Sequence, residues 1–562
     1  VAPGDSRAAS ARPFHPLLSE ADKYQMRSTR RHFTILLGST AFIAATAGRA
    51  LATPKPGGEL SVAFDGTTGA SFNLDPHGQY GRFAPQARVM RSIYDSLVVL
   101  QPDQSVAPWL ATSWQISPDR KQYTFQLRQD VVFHDGTKFD AAAVKANFDR
   151  IQNPANALLS LPQIGPYTGS TVVSPYVVQV EFSQPFEPFL HNLSATGLAI
   201  VSAAAVAKYG KALGQNPTGT GPFRFDSLTP GSEIRLLKNA GYQWAPANAP
   251  HQGPAFIDRL TFSNVPEQLT RVAALQSGQV QVADLIPSQN IAEFKSDPDF
   301  VFQQKEMLDS NYALQLNDAK APWDDKDIRE AVKLSLDIDL IVRVVYLGTI
   351  ERAWSPLSHH LFGSAEEALT GSWRPNPAQA KSILDAKGWQ PGPDGIRVKD
   401  GKRLTISFLD AQGNREQRLD VIQLVRHQLA ASGIELTIDE QPLGNYIQKI
   451  EDNDYDLIAG AQYTPDPDVL RYTFVPQFRS IIQGGSTNDP QLNQWLIEAA
   501  AEGDPLQRKQ LYLQAQQRIV DQVYEIPVYI LRYNLAVASA VQGVALDTHG
   551  FPIYHAASLG NA

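Results

Sequence analysis

Between Leu404 and Asp468 the apolar pattern switches from a period of two to a helical period and back, and few folds accommodate that. Leu404, Ile406 and Phe408 alternate with polar neighbours as a strand does. The polar loop Asp410-Ala411-Gln412-Gly413-Asn414-Arg415 follows. Leu419, Ile422, Val425 and Leu429 then fall on one helical face, and Gly433 stands where a helix ends. Ile434, Leu436 and Ile438 read as a second strand, Asn445 to Ile450 as a short helix, and Tyr455 to Gly460 as a third strand. A βαβαβ unit with brief connections has parallel strands, because its crossovers are right-handed. Ligands on such sheets lie beyond the carboxyl ends of the strands. Those ends are the Asp410–Arg415 and Gln462–Asp468 loops, which read as one jaw of a binding cleft.

The same order recurs near the start. Leu60, Val62 and Phe64 form a strand, then comes a polar loop containing Asn73, Asp75, His77 and Tyr80, then a helix from Pro85 to Leu97. This reads as the facing jaw. Tyr123, Phe125 and Leu127 alternate as a strand, Asp135-Gly136 makes a hairpin turn, and Asp140 caps a helix that Pro154 stops. With Val177–Phe182 as a further strand, residues 98–215 read as a small inserted α+β domain. Asp258–Val265, the helix Pro266–Gln276 and Gln279–Leu285 form another βαβ unit that returns to the first sheet. Thr218-Gly219-Thr220-Gly221-Pro222-Phe223 lacks P-loop spacing and leads into alternating phenylalanines, so it reads as a turn entering a strand. Asn311–Asn317 opens a second lobe. Asn376-Pro377 to Lys387-Gly388 is a helix with cap, N1 proline and terminal glycine in place, and Ile526 to Ala538 reads as extended chain crossing back. The fold class is α/β: two lobes able to close about a hinge, plus the small domain. The lobes comprise residues 53–97, 216–310 and 527–562 on one side and 311–526 on the other.

At 562 residues the chain exceeds what one core supports, and its net charge of −8 argues against nucleic acid as a partner. It has no cysteine, which excludes disulfides, thiolate metal sites and a cysteine nucleophile. Residues 1–52 read as a leader and signal. Ser28-Thr29-Arg30-Arg31-His32-Phe33 sets paired arginines before an uncharged run from Phe33 to Gly48, and Ala50-Leu51-Ala52 supplies the small-x-small cleavage pattern. That run is shorter than the roughly 20 residues a bilayer span needs. The arginine pair resembles the twin-arginine export motif, with cleavage near Ala52 and Met26 as the start of the signal. No cysteine follows the cleavage site, so a freely soluble protein of a Gram-negative periplasm is expected.

Several stretches resemble one family, the solute-binding proteins of peptide/opine/nickel ABC importers (bacterial extracellular family 5). The densest is Pro108–Arg150, PWLATSWQISPDRKQYTFQLRQDVVFHDGTKFDAAAVKANFDR; Thr218–Tyr242, Thr270–Gln279 and Leu314–Asp337 are others. The resemblance spans essentially all of Thr53–Ala562. It implies a periplasmic-binding-protein clamshell of three domains that buries a small solute between its lobes. The solute passes to a membrane permease and ATPase without chemistry, the protein being a monomer with no cofactor. Peptide binders of the family often carry a tryptophan and then an aspartate, which pairs with the peptide amine, after the strand matching Tyr455–Gly460. Here the tryptophan is missing and the first carboxylate is Asp466. Arg415 is the candidate for a bidentate grip on a ligand carboxylate.

The candidate ligand-binding residues are therefore Asn73, His77, Tyr80, Asp410, Asn414, Arg415, Tyr463 and Asp466. His359-His360 has no companion ligands at metal spacing and reads as surface loop, and His134 reads as structural. Asp452-Asn453-Asp454-Tyr455-Asp456 lacks the glycine and glutamate of a calcium loop. A hydrolase is the competing class, but Gly-x-Ser-x-Gly is absent and no histidine precedes a glutamate. A sensor presenting ligand to a membrane partner is a third reading. Peptides or peptide-like compounds lead as ligands, with opines, other amino-acid conjugates and oligosaccharides as alternatives.

Overall fold

The computed structural model describes residues 56–66, 72–78, 84–156, 158, 160–411, 413–478 and 488–560. The signal and cleavage site expected before Thr53 lie outside them. Among the described residues, no helix is long and apolar enough to cross a membrane.

Two large sheets organise the chain. The first runs, from edge to edge, Phe300–Glu306, Arg532–Ala538, Val282–Asp284, Glu59–Phe64, Arg259–Asn264, Glu233–Lys238 and Phe223–Thr229. Glu59–Phe64 lies at its centre, parallel to Arg259–Asn264 on one side and to Val282–Asp284 on the other. A strand buried on both faces reads as continuous apolar sequence, and Leu60, Val62, Ala63 and Phe64 are all buried. The helix Gln268–Gln276 makes the crossover between its two parallel neighbours.

The second sheet has the order Glu435–Glu440, Thr405–Asp410, Leu457–Gly460, Tyr312–Leu316 and Ile526–Tyr529. Thr405–Asp410 is parallel to both its neighbours, as the βαβαβ reading requires. The helix Arg418–Ala431 buries Val421, Ile422, Val425 and Leu429. Its last turn ends at Gly433, whose φ of 84° falls in the left-handed region where a Cβ is penalised. The helix Pro377–Ala386 begins at Asn376, whose side chain accepts from the Gln379 N–H.

Among the described residues the chain crosses between the sheets twice in short steps. Phe300–Glu306 belongs to the first and Tyr312–Leu316 to the second, while Ile526–Tyr529 belongs to the second and Arg532–Ala538 to the first. Few rotatable residues separate each pair, which suits hinge motion. Glu525 stands just before the second crossing. Burial pushes its carboxyl up to about 8, only partly offset by the Gln315 amide, which donates at 3.0 Å. The unfolded carboxyl titrates near 4.5, so the folded chain holds an extra proton between the two values and loses stability as pH rises through that window. Glu525→Gln is expected to raise the unfolding midpoint, with a gain that grows from pH about 5 to about 8 and then levels. A gain independent of pH in melting curves defeats this account.

A third, four-stranded sheet orders Ala111–Ile116, Gln122–Leu127, Val177–Phe182 and Tyr167–Ser174, all antiparallel. The helix Ala141–Gln152 covers it, capped by Asp140, whose carboxylate accepts from the Ala143 N–H. Its core is aromatic: Tyr123, Phe125, Phe148 and Phe182 surround Phe189, at centroid distances of 4.8–6.2 Å. Tyr242 and Trp244, from beyond residue 215, complete that core.

Candidate functional site

The carboxyl ends of strands from both large sheets meet around a cavity of about 570 Å³. Asp65 enters it directly after Glu59–Phe64, and Glu267 and Gln268 follow Arg259–Asn264. Asn414 and Arg415 follow Thr405–Asp410, and Glu440 ends its own strand. This is the place where parallel sheets bind ligands, and the volume falls within the range of small-molecule sites. Gln268 reaches across it to donate to the Asn414 carbonyl at 3.2 Å.

Behind the cavity lies a buried ionic cluster in two halves. On the first sheet, Arg88 places Nη1 2.8 Å from Asp284 Oδ2, and its guanidinium lies 4.3 Å from the Tyr533 ring centre. Arg271 lies 3.6 Å from Asp284 and 3.9 Å from Asp65, and donates to the carbonyls of Val265, Pro266 and Asp284. The Asp65 N–H closes this half by donating to Asp284 Oδ1.

On the second sheet, Glu416 Oε2 accepts from Arg418 Nη2 at 2.5 Å and Nε at 3.0 Å, while Arg415 Nε lies 3.6 Å from Oε1. The backbone at Glu416 and Gln417 is left-handed, with φ of 56° and 60°. That conformation costs about 1–2 kcal/mol per residue and turns this short charged run inward. The Tyr346 hydroxyl steadies the corner by donating to the Glu416 carbonyl at 2.9 Å. Arg418 sits over Tyr312, which stacks on Tyr529 at 4.6 Å. Burial pushes the Glu416 carboxyl up, but Arg418, Arg415 and Arg88 together hold it down at about 2. Arg88 belongs to the opposite half, so the two halves share one electrostatic field.

Asp309 stands in the chain segment that first crosses between the sheets. It is buried, and its Oδ1 has no hydrogen-bond partner among the described residues. Burial and then the Glu416 charge raise its pKa well above the carboxylate range, against the pull of Arg418, Arg415 and Arg88. The site thus presents fixed guanidinium groups, fixed carboxylates and one carboxyl, Asp309, whose pKa burial raises.

The sequence-derived candidates fall in three places. Asn414 and Arg415 line the cavity, and Asp410 shapes their loop by accepting from the Gly413 N–H at 3.1 Å. Tyr463 and Asp466 sit elsewhere. The Tyr463 ring meets His549 and Phe551 edge-on. Asp466 accepts from Arg508 Nη2 at 2.6 Å and lies 3.7 Å from His191 Nδ1. Asn73 and His77 form a third group. Asn73 Oδ1 accepts from the Asp75 N–H and packs so closely on Gly214 that a Cβ there would come within 1.8 Å of it. His77 is wholly buried, with Nε2 2.8 Å from the Ala199 carbonyl and Nδ1 2.9 Å from Arg150 Nη1. Burial and Arg150 lower it to about 4, so it is neutral, accepting from Arg150 and donating to Ala199. Together with the Asp75–Arg150 pair it ties this loop to the helix Ala141–Gln152. Tyr80 lies outside the described residues.

Sequence reasoning missed Arg88, Arg271, Asp284, Asp309, Glu416 and Arg418. Arg88 sits on a helix buried on nearly every side, and a charge there demands a partner. That partner, Asp284, is 196 residues away. The run Arg415-Glu416-Gln417-Arg418 was the one local sign, a dense charge cluster at a strand-to-helix turn.

The profile of the family described as bacterial extracellular solute-binding proteins, family 5 Middle, matches residues 105–480. The glutathione-binding protein GsiB of Salmonella paratyphi A is 30% identical over 384 residues, 68% of this chain and 70% of that protein. Among solved structures, the periplasmic binding protein DppA of Helicobacter pylori, in complex with the peptide STSA, superposes with a TM-score of 0.77 at 23% identity. The match covers 90% of this chain and 99% of that one. The binding protein AgaA of A. tumefacien R10, in complex with agropinic acid, gives a TM-score of 0.76 at 22% identity, covering 90% and 100%. At these identities the structural likeness shows the two-lobed α/β fold.

Proposed function

The chain belongs to the family 5 bacterial extracellular solute-binding proteins, the solute-capturing components of ABC importers, and from that premise we propose that its solute is a small peptide-like compound carrying a carboxylate. The observation that carries this reading is the 570 Å³ cavity at the strand ends, backed by buried charges of both signs. A peptide-like solute is itself charged at both ends. Arg415, on the cavity wall, is the anchor for its carboxylate, and a bidentate guanidinium–carboxylate pair fixes orientation as well as affinity. The relative named for glutathione, itself a peptide-like acid, supports the same class.

The two lobes are residues 53–97, 216–310 and 527–562 on one side and 311–526 on the other, with 98–215 inserted in the first. They close about the two crossings, and the filled, unaltered complex docks as a monomer on the permease. The route out of the cytoplasm is twin-arginine export, from the Arg30-Arg31 pair and its uncharged run.

Thermal unfolding with a solute panel tests the ligand class. Reduced glutathione or short peptides are expected to raise the midpoint, corresponding to about 2.7 kcal/mol at one hundred times the dissociation constant. Arg415→Ala is expected to remove most of that rise. If opines or oligosaccharides shift the midpoint while glutathione and peptides leave it unmoved, the peptide-like reading is abandoned.

A further inference from the structure

A second cavity, of about 280 Å³, lies where the C-terminal segment passes the small sheet, and it shares no lining residue with the first. Its volume corresponds to about nine water-sized groups, enough for a compact organic acid. Trp109, Tyr242 and Leu546 contribute apolar walls, whereas Arg91, Lys305 and His549, together with Asp95, Asp547 and His555, supply polar ones.

Arg91, Lys305 and His549 each have a definable state. Arg91 is engaged: Nη2 donates to the Ser194 carbonyl at 2.7 Å, and Nε lies 3.3 Å from Asp547 Oδ2. Lys305 donates one proton to the Asp547 carbonyl at 2.6 Å, and an ammonium has two more to give. His549 is 2% exposed, and its Nε2 lies 3.3 Å from Ser194 Oγ. Ser194 spends its hydroxyl proton on the His191 carbonyl at 2.6 Å, so Nε2 must carry the proton of the pair. Burial, with the charges of Arg91 and Lys305, keeps the imidazole neutral. Nδ1 is therefore a buried lone pair, and it has no hydrogen-bond partner among the described residues. A buried acceptor left unmet is costly.

A cation with donors to spare and a histidine with an unmet acceptor, both lining one cavity, call for a ligand with a carboxylate next to a hydroxyl. We propose that this cavity is a second small-molecule site that takes a 2-hydroxy acid with a compact apolar body. The carboxylate sits on Lys305, the hydroxyl donates to His549 Nδ1, and the apolar body lies along Trp109 and Tyr242. The ring of His549 meets Tyr463 edge-to-face, at 5.4 Å between centroids, so an occupant also steadies a contact with the Gln462–Asp468 loop.

Isothermal titration of the full chain with mandelate is the test, with phenylacetate and mandelamide as controls. Mandelate is expected to bind one to one. Removing its hydroxyl, or its charge, is expected to weaken binding at least about tenfold. Ala545→Trp, at an exposed position on the cavity wall, is expected to abolish binding while circular dichroism shows the fold retained. Lys305→Gln supplies an independent loss if the tryptophan variant does not fold. The site is refuted if mandelate gives no heat with the wild-type chain, if phenylacetate binds as well as mandelate, or if a folded Ala545→Trp still binds.

Discussion

Replacing Glu416 with alanine is expected to lower the unfolding free energy by about 3–5 kcal/mol, because it removes the carboxylate that the buried Arg418 and Arg415 share. Arg418 donates twice to Glu416, Arg415 lies beside it, and the field of Arg88 reaches it from the other sheet. Without the carboxylate these cations repel one another where water cannot screen them. The pH dependence distinguishes this from a simple packing loss. The folded Glu416 carboxyl is held at about 2, against 4.5 for the unperturbed group, so its contribution is complete above 4.5 and disappears as pH falls towards 2. Urea unfolding at several pH values is expected to show the gap between wild type and variant closing over that window. A gap of under about 1 kcal/mol at neutral pH, as for an exposed pair, overturns the account. An anionic solute that seats a carboxylate in the vacated position is expected to recover part of the loss.

The second large effect is expected at Phe189. Its ring is fully buried and makes edge-to-face contacts with Tyr123, Phe125, Phe148 and Phe182. Phe189→Ala empties the middle of the small sheet's core, at a cost of about 3–5 kcal/mol. Each aromatic pair lost adds about 0.5–1.5 kcal/mol beyond its area. The damage is expected to stay local. Hydrogen exchange at Gln122–Leu127 and Val177–Phe182 is expected to accelerate, while Glu59–Phe64 and Thr405–Asp410 keep their protection. Phe189→Leu retains most of the volume and is expected to restore most of the protection. Uniform acceleration across all three sheets would show instead that the small sheet does not unfold as a separate unit.

Much of the architecture was legible in the sequence. The strand–helix–strand order of Leu404–Asp468 appears in the structure with boundaries shifted by a few residues, for instance Thr405–Asp410 and Glu435–Glu440. The Asp140 and Asn376 caps, and the crossing of Ile526–Ala538 from one sheet to the other, are likewise as read. The helix read as ending at Leu97 stops at Ile93, because Tyr94 and Leu97 turn into separate cores. The candidate site was legible only in part. Arg415 and Asn414 were visible because a polar loop after a parallel strand is a local signal. His77 looked equally polar, and nothing nearby announced that Arg150 and Ala199 would claim both ring nitrogens.

The sequence by itself determined the strand and helix order and the run of parallel strands within each large sheet. Those properties follow from apolar period, capping residues and the handedness of short crossovers, all of which act within a few tens of residues. Only the tertiary structure decided which distant charges are buried together, as with Arg88 on Asp284. Coulomb interaction and desolvation depend on distance through space, and partners such as these, 196 residues apart, meet only when the chain has closed on itself.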